Sequence, residues 1–299
     1  MWLRSYFLWL CTLLVGGAGL FMIATTPRPS DTSSLAEVVP EASRGEQVFW
    51  AAGCASCHSA PDAGGEERLV LSGGRAFPSP YGTFYAPNIS SDPVAGIGNW
   101  SLKEFAAAIR QGITPGGKHY FPALPYTAYA RMEDADLVSL FAFMSTLPAS
   151  DAPNQAHEIG FPFNIRRLIA GWKLLYSGRG WVVEGGLSPE ETRGRYLVEA
   201  LAHCGECHTP RDALGGLKRN AWLSGAPNPS GKGTIPNIAP GGLDWSAADI
   251  AYYLKTGFTP EFDSAGGHMA EVVQNLAHLP DDDLAAIAAY LKRVPMVGN

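Results

Sequence analysis

Charge is what this chain has least of. Lys, Arg, Asp and Glu supply 17% of its 299 residues, where a globular domain ordinarily has about a quarter. The 22 Lys and Arg are outnumbered by 28 Asp and Glu, for a formal net charge of −6. They gather into no basic stripe, which excludes nucleic acid as a partner. Cysteine is scarce too. Five are present and four of them fall in two short motifs, so no pair is left for a structural disulfide. The fifth, Cys11, lies in an apolar run and reads as a small hydrophobe rather than a reactive thiol. Trp9 and Leu10 before it make a poor lipoprotein site. Low-complexity sequence is missing as well. The 34 Gly and 23 Pro are dispersed, as in compact domains whose long loops wrap around something.

What is present is a pentapeptide that occurs twice, as Cys54-Ala55-Ser56-Cys57-His58 and as Cys204-Gly205-Glu206-Cys207-His208. The spacing Cys-x-x-Cys-His is the attachment site of a c-type haem. Two cysteines three apart on one helical turn can each form a thioether to a vinyl group, and the histidine then lies under the iron. Four thiolates would also suit zinc, but these pairs are 150 residues apart. Zinc ribbons place theirs roughly 15–20 apart. A thioredoxin-like pair belongs beside a βαβ pattern, and no strand-rich stretch flanks either motif. Two covalently attached haem c groups are therefore expected. Cys54, Cys57, Cys204 and Cys207 would hold them, with His58 and His208 as axial ligands. Each would supply apolar surface that a small domain cannot make from side chains alone.

Tyr6 to Ala24 is a 19-residue stretch without a charge, preceded by Arg4 and closed by Pro27-Arg28-Pro29. A membrane-spanning helix needs about 17–25 such residues, and a signal-peptide core about 7–15. Length predicts an uncleaved transmembrane anchor, although Gly16, Gly17, Ala18 and Gly19 offer small residues for cleavage. Arg4 places the N-terminus in the cytoplasm by the positive-inside bias. The rest of the chain is then exported, to the face where haem is attached to c-type cytochromes.

The motifs belong to a longer duplication. Helical stretches precede them, Ser43 to Ala52 and Thr192 to His203, each with an early Arg-Gly: Arg44-Gly45 and Arg193-Gly194. Pro87-Asn88-Ile89 recurs as Pro236-Asn237-Ile238, 33 and 32 residues past the first cysteine. Trp100-Ser101 through Thr114-Pro115 matches Trp245-Ser246 through Thr259-Pro260 at an offset of 145. Each half closes on an acidic helix start, Glu133-Asp134 or Asp281-Asp282-Asp283, where carboxylates suit the helix dipole. This order of helices and loops resembles the class I cytochrome c fold. The expected class is all-α, two tandem cytochrome c domains at 43–148 and 191–296 after an N-terminal transmembrane helix. Residues 1–26 form the anchor, 27–42 a linker and 149–190 an interdomain linker. In the latter, Asn164 to Tyr176 predicts a short helix packing Leu168, Trp172 and Leu175 across the domain junction.

The sixth iron ligand in this fold usually comes from a Met on the loop before the last helix, and a thioether raises the potential relative to a second His. In the second half Met269 is so placed, and Met296 lies past the helix. In the first half the 145-residue offset carries Met269 back to Leu124, which cannot ligate iron. Met132 is the nearest substitute, since Met144 lies inside the helix and faces the core. His119 is a second candidate, and an open position a third. Pro87 and Pro236 are expected near the proximal histidines, their following Asn holding loops or propionates. Arg75, Tyr85, Trp100 and Trp245 are candidate propionate donors. His203 and His278 read as surface residues.

Several stretches give a family resemblance. They are Tyr85-Ala86-Pro87-Asn88-Ile89, Tyr120 through Tyr126, Phe161 through Arg166, Tyr196-Leu197-Val198-Glu199 and Cys207-His208-Thr209-Pro210-Arg211. Over about 43–296 the chain resembles the membrane-bound cytochrome c subunits of bacterial periplasmic alcohol, gluconate and fructose dehydrogenases. The resemblance implies a partner dehydrogenase as donor and a quinone or terminal oxidase as acceptor. It also implies a single-pass inner-membrane protein with its haem domains in the periplasm. Those subunits typically carry three haem domains, where this chain carries two. They also often have Met where Leu124 stands. The leading reading is thus a diheme relay from a dehydrogenase or respiratory donor to a quinone, cytochrome or oxidase, without substrate chemistry of its own. The alternative is a haem enzyme of the diheme peroxidase or thiosulfate-oxidising type, using an open or labile first haem with His119 as base. A gas-binding cytochrome would use the same open site.

Overall fold

The computed structural model describes residues 2–178, 180–229, 231 and 233–296, apart from the side chains of Leu3, Arg4, Ser5, Phe7 and Leu8. Helix α1 spans Trp2–Ala24. The first half then holds α2 (Ala42–Ala51), α3 (Cys54–His58), the strands β1 (Ala76–Ser79) and β2 (Gly82–Tyr85), α4 (Leu102–Gln111), α5 (Tyr126–Tyr129) and α6 (Asp134–Met144). Strand β3 (Glu158–Ile159) and α7 (Leu168–Tyr176) lie between the halves. The second half holds α8 (Pro189–Tyr196), prolonged by a π-helical turn at Leu197–Leu201, then α9 (Gly205–His208), β4 (Ala226–Pro227), β5 (Thr234–Ile235), α10 (Ala247–Thr256), α11 (His268–Leu276) and α12 (Asp281–Arg293). The fold is helix-rich, with short antiparallel ladders that a purely all-α expectation omits. They are β1–β2–β3, with Phe77 opposite Phe84 and Gly82 opposite Ile159, and β4–β5.

In each half the helix before the motif crosses the last helix, and the repeated Arg-Gly is what makes the crossing. A Cβ on Gly45 would stand 2.2 Å from the Ser139 carbonyl oxygen of α6, and one on Gly194 would stand 1.9 Å from that of Ala286 on α12. The preceding arginine ties the same two helices. Arg44 Nη1 lies 2.9 Å from Asp136 Oδ1, and Arg193 Nε lies 2.8 Å from Asp283 Oδ1. Helices α4 and α10 also begin alike. Ser101 with Glu104, and Ser246 with Asp249, form reciprocal capping boxes, satisfying amides that the first turn leaves unpaired.

The halves pack on one another. Helix α5 of the first half rests on the π-helical turn of the second, and α11 of the second rests on α2 and α3 of the first. Helix α7 does bridge the junction, through Trp172 of the expected face but not through its two leucines. Leu168 and Leu175 are exposed, whereas Ile169 and Ala170 are buried. Trp172 Nε1 donates to the Leu214 carbonyl at 3.0 Å, and Lys173 Nζ to that of Gly112 at 2.8 Å.

The N-terminal expectation is not established. Tyr6 to Ala24 is helical within α1, but among the described residues no helix is long and apolar enough to cross a membrane. The side chain of Arg4, the charge that set the expected orientation, lies outside the described residues. Helix α1 leaves Trp9, Leu13, Val15 and Leu20 exposed. Its C-terminal end is tied down, with Arg167 Nη1 donating to the Met22 carbonyl and to Thr25 Oγ1, both at 3.1 Å.

The two crossing glycines should respond to alanine oppositely to a glycine in an open helix. Gly194→Ala and Gly45→Ala are expected to cost about 1–3 kcal/mol through overpacking. Gly171→Ala in α7, where an added Cβ meets nothing within 4 Å, is expected to stabilise by roughly 0.5–1 kcal/mol. Chemical denaturation of the three variants measures both signs.

Candidate functional site

Each motif folds as one short helical turn, α3 or α9, whose histidine is held by a carbonyl from a distant loop. His58 Nδ1 donates to the Pro87 carbonyl at 2.8 Å, and His208 Nδ1 to that of Pro236 at 2.8 Å. This fixes the tautomer and leaves Nε2 with its lone pair free, as an axial ligand requires. The loops are anchored alike. The amides of Gly73 and Gly225 donate to the carbonyls of His58 and His208 at 2.7 and 2.8 Å. Gly73 has φ 73°, and a Cβ there would stand 2.5 Å from the Pro87 carbonyl carbon, so the loop can reach the histidine only with glycine.

Burial pushes the Cys54 and Cys204 thiols up to about 12 and Cys57 up to about 11; Cys207 lies near enough to Cys57 to add to the last shift. A thioredoxin-like nucleophile needs the opposite shift. Among the described residues no three His, Cys, Asp or Glu side chains converge as a metal site, so a zinc site has no ligand set. Apolar side chains lie half-open against the core: Trp100, Ile109 and Leu124 in the first half, and Ile238, Leu243, Trp245 and Met269 in the second. A donor nitrogen freed by its partner, two neutral thiols and an apolar border fit an apolar iron macrocycle in both halves.

The expected sixth ligands fare differently. Met269 is the second residue of α11, half-buried against the core. Leu124 is half-buried at the matching place, and the bridges Ile113–His119 and Phe258–Ser264 confirm the offset of 145 around it. Met132 is 3% exposed in the core before α6, and Met144 is 4% exposed inside it. His119 is committed elsewhere. Its Nε2 donates to the Thr25 carbonyl at 3.0 Å, and Nδ1 accepts from Lys173 Nζ at 3.1 Å.

The supporting residues have protein partners, and one of them departs from its expected place. Tyr85 donates its hydroxyl to Glu158 at 3.1 Å, and Arg75 pairs with Glu271 at 3.5 Å. Asn88 Nδ2 donates to the Ser150 carbonyl at 2.7 Å, so it holds a loop. Trp245 packs edge-on to Tyr253. His203 is not a surface residue. It packs edge-on against Tyr129 with ring centroids 5.5 Å apart, and Tyr129 donates its hydroxyl to the Ala52 carbonyl at 2.8 Å. These residues join the approach to one motif to the approach to the other. His278 is exposed but stacks on Trp50 at 3.8 Å. Glu199 closes the Tyr196-Leu197-Val198-Glu199 stretch. Its buried carboxylate accepts from the Val182 amide at 2.7 Å and from the hydroxyl of Tyr290 on α12.

The comparisons fall on this geometry. The family model described as Cytochrome c matches residues 42–148, and that described as Cytochrome C oxidase, cbb3-type, subunit III matches residues 189–291. The two halves are therefore cytochrome c domains. The chain belongs to the diheme c-type cytochromes and binds two haem c groups covalently. It is 58% identical to "Diheme cytochrome c-type" of Cereibacter sphaeroides, over 95% of this chain and 96% of that one. It is 39% identical to "Fructose dehydrogenase cytochrome subunit" of Gluconobacter japonicus, over 95% of this chain and 57% of that protein. To "Alcohol dehydrogenase (quinone), cytochrome c subunit" of Gluconobacter oxydans it is 37% identical, over 85% of this chain and 55% of that protein. The chain thus spans little more than half the length of these two dehydrogenase subunits.

The ammonium beside His119 gives a pH prediction. Burial lowers the Lys173 pKa to about 8, against about 10.4 in an unfolded chain. Between those values the unfolded chain holds the proton that the folded one has lost, so stability rises with pH. The gain is on the order of 1 kcal/mol, allowing for solvent screening of a partly exposed group. Denaturation of wild type and Lys173→Met between pH 7 and about 10.4 should show their difference moving toward wild type by that amount.

Proposed function

We propose that this chain is a two-centre electron relay serving a dehydrogenase. Cys54 and Cys57, and Cys204 and Cys207, form the thioethers; His58 and His208 ligate through Nε2. Met269 is the sixth ligand in the second domain and Met132 in the first. Bound haem c supplies an iron that takes up and releases one electron. The protein orients the ligands, excludes water and holds the two attachment turns together. The domains are residues 43–148 and 191–296. The observation that carries the reading is the junction, where Cys57 and Cys207 approach one another and Tyr129 and His203 pack between the motifs.

The donor is a periplasmic dehydrogenase, a reading supported by relatives named as cytochrome subunits of fructose, alcohol and gluconate dehydrogenases. The acceptor is a quinone, another cytochrome or an oxidase. Helix α1 anchors the chain in the bacterial inner membrane, the domains facing the periplasm; its exposed apolar side chains support this. Both ring nitrogens of His119 are engaged, which favours Met132 over a bis-His first centre. Leu124 favours a second reading, a haem enzyme with an open first site.

Optical spectroscopy of the purified protein separates the two. The relay predicts two low-spin centres, no carbon monoxide or cyanide binding and no peroxide turnover. Met132→Ala should turn one centre high-spin and ligand-binding. A wild-type centre that binds carbon monoxide would overturn the relay, and an unchanged Met132→Ala spectrum would overturn that ligand assignment.

A further inference from the structure

Helix α11 has two working faces. Met269, Val272, Val273 and Leu276 repeat at helical spacing and pack against the core. Glu271 and Asn275, one turn apart, occupy the other side and meet the first domain. Asn275 Nδ2 donates to Ser56 Oγ at 2.7 Å, and Ser56 Oγ lies 3.4 Å from the Glu271 carbonyl that it donates to. Ser56 is the residue before Cys57, inside the first haem-attachment turn. Arg68 donates to Asn275 Oδ1, and its Nη2 lies 3.6 Å from Glu271 Oε2. Arg75 reaches Glu271 Oε1 at 3.5 Å. Asn275 is 1% exposed and Arg68 6%. Few of these groups can exchange a partner for water, so the contact is rigid rather than a surface pairing.

We propose that Ser56 and Asn275 are positioning residues for the ligand of the other domain's iron: the first attachment turn sets where α11 sits, and α11 sets where Met269 sits. This rests on Met269 being the sixth ligand of the second centre. The two faces of one nine-residue helix cannot move independently, because its backbone hydrogen bonds make it a single rod. A shift at Ser56 therefore reaches Met269 through no intermediate element. The first domain reaches the second through other contacts, Arg131 Nη2 donating to the Glu199 carbonyl at 2.8 Å and the Glu133 amide to the Tyr196 hydroxyl at 3.0 Å. Its α5 meets the second motif through Thr127 Oγ1 and Glu206 Oε1 at 3.4 Å, and the place matching Met269 is Leu124. This contact couples the first motif to the second iron.

Proton NMR of the reduced holoprotein tests this, since the methyl of an iron-bound Met is thrown far upfield by the ring current. The singlet that Met269→Ala abolishes belongs to the second centre. Ser56→Ala is expected to shift that singlet and to lower the potential of the second centre in a redox titration. Ser56→Thr, which keeps the hydroxyl, should leave both near wild type. Asn275→Ala should repeat the effect without touching the motif. If Ser56→Ala and Asn275→Ala leave that singlet and that potential unchanged, or alter only the first centre, the coupling is wrong. If Met269→Ala abolishes no singlet, the ligand assignment beneath it is wrong instead.

Discussion

The hydrogen bond from each motif histidine to a proline carbonyl is the constraint around which both domains are built. At 2.8 Å in each, it decides which ring nitrogen keeps a free lone pair. It also dictates the loop. The chain leaving the motif must turn back, so Gly73 and Gly225 take positive φ and approach the Pro-Asn loop too closely for a Cβ. One residue past Asn, Ile89 and Ile238 donate their amides to Leu71 and Leu223, both at 3.0 Å. Behind each turn the Arg-Gly helix crossing fixes the helix from which the motif departs. A change in any of these parts is felt at the histidine.

Duplication explains each domain but not the junction. The domains exchange contacts: α11 lies on the first motif and α5 approaches the second. The two exchanges use different groups. Asn275 and Glu271 form a polar network with Ser56, Arg68 and Arg75, while the first domain contributes Tyr129, a long contact from Thr127, and bonds from Arg131 to the Glu199 carbonyl and from the Tyr196 hydroxyl to Asp136. A difference also shows at matching positions, Met269 in one domain and Leu124 in the other. The duplicated pair has come to have different surroundings.

Much of this was legible in the residues. The Arg-Gly repeats, the Trp-Ser helix starts and the 145-residue offset survive in three dimensions because each serves a local or intradomain contact repeated in both halves. The junction was not legible. Asn275 and His203 act across domains, and a contact between distant segments leaves no periodicity in either. Only Trp172 of the expected α7 face reaches the junction, for a related reason. An amphipathic pattern locates an apolar stripe, but here a partly buried lysine and a tryptophan indole make the junction contacts while Leu168 and Leu175 stay exposed. Tyr85 and Arg75 meet Glu158 and Glu271, each from a distant segment that no local spacing reveals.

The central claim is that two haem centres share one junction. Electron paramagnetic resonance of the protein at successive stages of reduction tests it most directly. With both irons ferric, the account predicts signals broadened and fast-relaxing through mutual dipolar interaction, reverting to a single unperturbed low-spin signal once the higher-potential centre is reduced. Two ferric signals that never influence each other at any stage would contradict it.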